Sequence, residues 1–414
     1  MKYKKINCCR LCYSKKIKKI IDFGPICLSS TFPFKNSKYN KITPMVFGIC
    51  SSCKLPQLLH NYSLKELYNK DYGYRSGINQ SMINHLTGIT NDIKKTVNFT
   101  KGDYVLDIAS NDSTLLRSYK SSKINYIGID PTISQFKKFY PKKIKTKSEL
   151  FTKNNYFNLS KNKKARVITS IAMFYDVQNP NKFVSDIKSI LSKNGIWVME
   201  MYYLPVLLKL NAYDSICHEH VTYLTLKHID RLCKNNNLRI FKVSLNSMNC
   251  GSIRYFICHK DAKFKVDSTT INKCKKMEKK LNSIKSFFSF KKRILSLSRK
   301  LNLKIKSLTR KGKLIHIYGA STKGNISIQY SKIDTKYVSF AADRNPLKWN
   351  KKMPGSNIPI ISEETSRSKN PDYYLILPWH FREEFIKREK IFLSKGGKLI
   401  FPLPKITIIS KKKL

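Results

Sequence analysis

From Gly102 onward short apolar runs alternate with amphipathic stretches, and that alternation confines the chain to a parallel sheet covered on both faces. The first runs are Tyr104-Val105-Leu106-Asp107-Ile108, Tyr126-Ile127-Gly128-Ile129-Asp130, Val167-Ile168-Thr169-Ser170-Ile171 and Ile196-Trp197-Val198-Met199-Glu200. The clearest helix precedes the last of them. There Phe183, Val184, Ile187, Ile190 and Leu191 recur at helical spacing, with Pro180 near the start and Gly195 past the end. A second α/β unit begins at Lys313-Leu314-Ile315-His316-Ile317-Tyr318-Gly319 and continues through runs at 337–343, 373–377 and 398–401. Between the two, residues 265 to about 312 read as a basic helical connector with a stripe of Ile284, Phe287, Phe288, Leu295, Leu301 and Ile305. A chain of 414 residues suits two or three such units.

Residues 1–70 differ, with short apolar runs that cannot build a core unaided. They carry Cys9-x-x-Cys12 and, far along the chain, Cys50-x-x-Cys53. Each pair sets two thiolates on one side of a tight turn, as a tetrahedral zinc requires. Chance pairing in a cysteine-bearing segment is the competing explanation. A closed four-sulfur site has no open position, so the zinc is expected to be structural; Cys8 and Cys27 receive no role. The eleven cysteines are odd in number, and no secretion signal is read, which argues against a disulfide framework. No apolar run reaches the roughly 20 residues of a membrane span, and a cytoplasmic protein is expected.

The net charge of +54, from 80 Lys+Arg against 26 Asp+Glu, raises the prospect of nucleic-acid binding. The lysines, however, are spread over nearly every segment instead of gathering with aromatics on one face. Compositional bias over a solvated surface is the preferred reading.

Three constellations can carry chemistry. Asp107-Ile108-Ala109-Ser110-Asn111-Asp112-Ser113 runs from a strand into a polar turn, where a doubly wound fold holds a nucleoside. About twenty residues later Asp130 ends the next strand and can accept from both ribose hydroxyls. An ordinary strand-turn-helix remains the alternative. His218-Glu219-His220 is the most suggestive triplet: in extended backbone the histidines share one face and Glu219 takes the other. Metal ligation, a structural role and acid–base work all compete for it. Finally, Ser321-Thr322-Lys323-Gly324-Asn325 at a helix start offers hydroxyls, backbone N–H groups and Lys323 to a phosphate, or forms a plain turn.

Taken in order, these pieces resemble the sugar C-methyltransferases that act on nucleotide-linked keto-sugars. The resemblance spans the chain. It adds Phe23-Gly24-Pro25, Asp71-Tyr72-Gly73-Tyr74-Arg75-Ser76-Gly77, Phe174-Tyr175-Asp176, Gly251-Ser252-Ile253-Arg254 and Leu377-Pro378-Trp379-His380 to the motifs above. Departures are Ala109 and Ser113 where the family has glycines, Cys250-Gly251 for a glycine pair, Cys217 for a tyrosine in some members, and His380 for an asparagine.

The resemblance implies an α/β architecture: a zinc module (1–70), a Rossmann-like class I methyltransferase domain (71–262), a helical connector (263–312) and a C-terminal α/β Rossmann-like domain (313–414) that helps hold the substrate. It implies S-adenosylmethionine as cofactor beside the zinc, held by Tyr74, Ser76, Asp107, Ser110, Asn111, Asp130 and Pro131. It implies His220 as the base that enolises the acceptor, with Glu219 orienting substrate or imidazole and His218 steadying the oxyanion. Lys323, Ser321, Arg254 and Trp379 are then substrate ligands, and the enzyme is expected to be a monomer that does not engage membrane or nucleic acid. Two alternatives are kept: a zinc-containing basic protein that binds or methylates nucleic acid, and a scaffold that has lost its cofactor.

Overall fold

The computed structural model describes residues 2–37, 41–69 and 71–411. At its centre is a seven-stranded sheet formed by β1 (Tyr104–Ile108), β2 (Asn125–Ile129), β3 (Ile144–Lys147), β4 (Ala165–Ile171), β5 (Leu191–Tyr202), β6 (Leu238–Asn246) and β7 (Ser252–His259). Their spatial order is 6-7-5-4-1-2-3. The strands from β5 to β3 run parallel, and β7 lies antiparallel to both of its neighbours. Strand order reverses between β1 and β4, which opens a crevice beyond their carboxyl ends. The predicted runs all fall in these strands, Asp130 lying one residue past β2. The helix Pro180–Ile190 has Pro180 in its first turn and is capped by the Asn179 side chain.

A second, six-stranded sheet has the order 360–361, 340–342, 315–318, 373–376, 398–401, 407–409, parallel except for the last strand. Its first strand in the chain, Ile315–Tyr318, leads into the helix Thr322–Tyr330, whose N-cap Ser321 accepts from the Gly324 N–H at 3.0 Å. A Cβ on Gly324 would lie 2.5 Å from Leu377 Cβ, so only glycine lets this helix approach the sheet so closely.

The N-terminal segment forms a three-stranded antiparallel sheet of Ile17–Cys27, Ile42–Cys50 and Pro56–Leu58. It does not stand apart. Its Ile20, Phe47 and Leu55 belong to the same buried cluster as Trp197 and Met199 of β5. The strand Pro56–Leu58 is also laced to the segment after the His-Glu-His triplet, Leu58 N–H donating to Val221 O (3.0 Å) and Tyr223 N–H to Pro56 O (3.0 Å).

The segment expected to be a connector is a packed strut. Its long helix, Ile284–Arg310, buries Phe287, Phe290, Ile294, Ser298, Leu301, Ile305 and Leu308, one continuous stripe at steps of three and four. The first apolar members join the core of the central sheet, and Leu301, Ile305 and Leu308 join that of the C-terminal sheet. Among the described residues no helix is long and apolar enough to cross a membrane.

Candidate active site

The four cysteines of the two CxxC pairs converge, every Sγ lying within 4.8 Å of the others. Cys9 meets Cys53 and Cys12 meets Cys50, each at 3.6 Å. A tetrahedron with Zn–S bonds of about 2.3 Å has S–S edges of about 3.8 Å, so the thiols fit zinc before any ion enters. The Cys9 thiol is held below its usual range, chiefly by the hydrogen bond from Cys53. Cys8 and Cys27 stand outside the group.

At the carboxyl ends of β1, β2 and β4 lies a first cavity, lined by Tyr74, Ser76, Asp107, Ser110, Asn111, Asp130 and Pro131, all of the expected cofactor ligands. The turn after β1 is built from three non-glycine residues in the left-handed region, Ala109 (φ 58°), Asn111 (φ 47°) and Ser113 (φ 63°). The backbone geometry that glycines favour is therefore made without them. Asp130 holds the turn: its Oδ2 accepts from the Asn111 N–H at 2.9 Å, and its Oδ1 takes the Thr132 N–H and hydroxyl, each at 2.6 Å. One lone pair on Oδ2 remains for a ribose hydroxyl. The Asn111 side chain accepts from the Ser76 N–H at 2.8 Å, which seats the 76–78 turn over this loop. Gly77 packs so tightly there that a Cβ would come 2.6 Å from Asp112 Oδ2. Burial pushes the Asp107 carboxyl up to about 7.

The lining of this cavity contrasts with the basic chain. It includes Asp107, Asp130, Asp176 and Glu200, with His85 and, among the described residues, no lysine or arginine. In a protein of net charge +54, four carboxyls in one cleft suit a cationic ligand, and S-adenosylmethionine carries a sulfonium and an ammonium.

A second cavity adjoins the first and extends to the C-terminal sheet. Its basic residues are Arg75, Lys323, Arg344, Lys348 and Arg388, and Ser321, Glu219 and His220 also line it. Lys348 is committed to Ala320 O (2.7 Å) and Asp343 (3.3 Å), and Arg388 to Glu363 (2.8 Å). Lys323 has no hydrogen-bond or ion-pair partner among the described residues. It is therefore the cation available to a phosphate, at the start of a helix.

The triplet does not take extended backbone. His220 N–H donates to Cys217 O at 3.0 Å, closing a turn that presents Glu219 and His220 together to the second cavity. The alternation expected from a strand fails because the turn reverses direction within three residues. His218 lines neither cavity; it packs edge-on against Tyr62, ring centroids 4.9 Å apart, with both nitrogens unpartnered. His220 sits between Tyr175 (4.3 Å) and Tyr202 (5.2 Å), its Nδ1 2.7 Å from Ser215 O. Burial, with Lys323 nearby, holds the His220 pKa down to about 3, so the ring is neutral. Both Glu219 oxygens lack a hydrogen-bond partner, and burial raises that carboxyl.

Two expected substrate ligands are engaged elsewhere. Arg254, on β7, is bound to Glu200 (2.8 Å) and Asp92 (2.6 Å) and lines neither cavity. A motif read without its sheet register cannot show that Arg254 and Glu200 are cross-strand partners. Trp379 also lies outside, its indole N–H donating to Asp214 Oδ2 at 2.8 Å and so fixing a carboxyl that does line the second cavity. Residues that sequence reasoning left without a role are Asp176, Glu200, His85, Arg75, Arg344 and Arg388. Asp176 and Arg75 stood in quoted motifs and Glu200 ended a quoted strand run, whereas His85, Arg344 and Arg388 carried no local signal.

Residues 84–243 match the family described as a methyltransferase domain, and residues 247–404 match the C-methyltransferase C-terminal domain. C-methyltransferase NovU of Streptomyces niveus is 26% identical over 414 residues, covering 98% of this chain and 97% of that protein. Among solved structures, an S-adenosylmethionine-dependent methyltransferase from Clostridium acetobutylicum superposes with a TM-score of 0.31 at 12% identity, over 42% of this chain and 89% of that one. The plantazolicin methyltransferase BpumL in complex with SAH gives 0.34 at 14% identity, over 42% and 82%.

Proposed function

Since this chain is an S-adenosylmethionine-dependent C-methyltransferase, we propose that its acceptor is a nucleotide-linked keto-sugar and that the methyl goes to the carbon beside the ketone. One observation carries this reading. A cavity with four carboxyls and, among the described residues, no lysine or arginine opens into a second that holds the unpartnered Lys323 beside His220 and Glu219. A cationic donor suits the first space, and Lys323 at a helix start gives the second a place for the diphosphate of the acceptor.

The cofactor, when bound, supplies a methyl group on a sulfonium sulfur. The protein's part is to make the acceptor carbon nucleophilic. With its Nδ1–H donated to Ser215, the neutral His220 presents its other nitrogen, Nε2, as the site that takes the carbon-bound proton. Lys323 opposes protonation of His220 in the free protein. A diphosphate paired with Lys323 cancels that opposing charge and raises the basicity of the imidazole when substrate is present. Burial favours the protonated form of Glu219, and in that form it donates a hydrogen bond to the ketone oxygen as it becomes an enolate. That assigns to Glu219 the part first given to His218. Asp130 and Asn111 hold the adenosine side, and Tyr74 and Ser76 cover it.

The division at residues 70, 262 and 312 belongs to the same reading, as do a monomeric state and a cytoplasmic location. Incubation with labelled S-adenosylmethionine and a panel of nucleotide-linked 4-keto-sugars tests it. Transfer of label to a sugar carbon is expected, and transfer to nucleic acid but to no sugar would count against it.

A further inference from the structure

The two cavities meet along a shared wall of Tyr72, Tyr74, Met82, Ala172, Asp176 and Asn249. A methyl group passing from donor to acceptor crosses this boundary, and the sulfonium sulfur lies one bond behind it. The wall contains one carboxyl. Asp176 ends the short turn Phe174–Asp176 that follows β4. Its Oδ2 accepts from the Tyr68 hydroxyl at 2.8 Å, while its Oδ1 is closed to solvent and has no hydrogen-bond partner.

We propose that Asp176 is the carboxylate that pairs with the cofactor's sulfonium, so that the enzyme prefers S-adenosylmethionine to the uncharged S-adenosylhomocysteine. This rests on placing the cofactor in the first cavity. A charge pair in a site closed to water is far stronger than one in solvent, and S-adenosylhomocysteine lacks the cationic partner. Around Asp176 stand Tyr68, which favours the anion by its hydrogen bond, Glu219, which opposes it, and the hydroxyls of Tyr72, Tyr175 and Tyr202 and the thiol of Cys217, whose own pKa values are raised. Burial raises the free carboxyl well above the usual carboxylate range. Sulfonium binding favours the carboxylate and expels to solvent whatever proton the free carboxyl holds. Asp107 and Asp130 are also raised by burial, but neither is on the shared wall, and in the proposed placement they serve the adenosine and amino-acid parts that both ligands share.

The test is calorimetric titration of the whole protein with S-adenosylmethionine and with S-adenosylhomocysteine near pH 7, in buffers of different ionisation enthalpy. Wild type should release more protons with S-adenosylmethionine than with S-adenosylhomocysteine, up to about one per chain. Asp176→Asn should lose that difference and about tenfold of the preference, with its affinity for S-adenosylhomocysteine within threefold of wild type. Equal proton release for the two ligands in wild type overturns the proposal, as does an unchanged preference in a folded Asp176→Asn protein. Should the variant fail to fold, the wild-type proton counts decide. Wild type binding neither ligand would reject the cofactor placement itself, a result distinct from binding both without a proton difference.

Discussion

The Nδ1 of His220 lies 2.7 Å from the carbonyl oxygen of Ser215, and this single hydrogen bond determines which ring nitrogen carries the proton. Nδ1 must be protonated to donate, so the lone pair is on Nε2. Ser215 ends the turn Tyr213–Ser215 and His220 lies five residues further on, so the tautomer is set locally.

His220→Asn should therefore abolish methyl transfer, with a loss on the order of 10²–10⁴-fold for removal of a general base, while S-adenosylmethionine affinity stays within a few-fold. His218→Asn should keep most of the activity, because His218 lines neither cavity. Turnover and cofactor affinity measured on both variants check this, and equal losses in the two would contradict it.

Asp130 ties the turn after β1 to the end of β2 through its bonds to Asn111 and Thr132. Asp130→Ala removes the proposed ribose ligand and the tie together. S-adenosylmethionine binding should weaken by at least about 1.5–3 kcal/mol, the usual worth of a charge-assisted hydrogen bond. Titration giving an unchanged affinity would show that the adenosine lies elsewhere.

Much of this was legible beforehand, for identifiable reasons. The strands were plain because a parallel sheet buried on both faces needs continuous apolar runs, and the thiol cluster because CxxC spacing is dictated by the turn that presents it. What escaped reading depends on contacts distant in sequence. The pairing of Arg254 with Glu200 follows from strand register, and the meeting of the two cavities at Asp176 follows from which loops come together in the fold. The triplet was misread in geometry because a turn and a strand of three polar residues look alike in sequence. The packed face of the long helix was half seen: Phe287, Leu301 and Ile305 were picked out, whereas Phe290 and Ile294 were not.

The zinc module has a mechanical link to the triplet. Cys53 O lies 3.1 Å from His228 Nε2, and the strand Pro56–Leu58 just beyond it is bonded to Val221 and Tyr223. Metal analysis should find about one zinc per chain. Cys50→Ser should lose it and lower turnover strongly, because the neighbours of His220 lose their support, while S-adenosylmethionine still binds. Zinc-free wild type with full activity would contradict the link.

His218 also makes a prediction about acid. Burial depresses its pKa to about 3, below the unfolded value of about 6.5, so the unfolded state binds its proton first as pH falls. Its contribution is fully present above pH 6.5 and is lost by about 1.4 kcal/mol per pH unit below that, down to its folded pKa. Buried carboxyls with raised pKa values work in the opposite direction, so the comparison must be between variants. Denaturant unfolding of wild type and His218→Asn at pH 7.5 and 5.5 should show wild type losing about 1 kcal/mol more than the variant over that interval. Parallel pH dependence in the two proteins would mean that the imidazole is protonated in the folded state.

The central claim is carbon methylation of a nucleotide-linked keto-sugar. The most direct test incubates the protein with carbon-13 methyl S-adenosylmethionine and nucleotide-linked 4-keto-sugars and follows the methyl signal by carbon–proton NMR. The account predicts a new carbon-bound methyl on the sugar ring next to the ketone, formed by wild type and absent with His220→Asn. Label found on oxygen or nitrogen, or the same product at the same rate from His220→Asn, would contradict it.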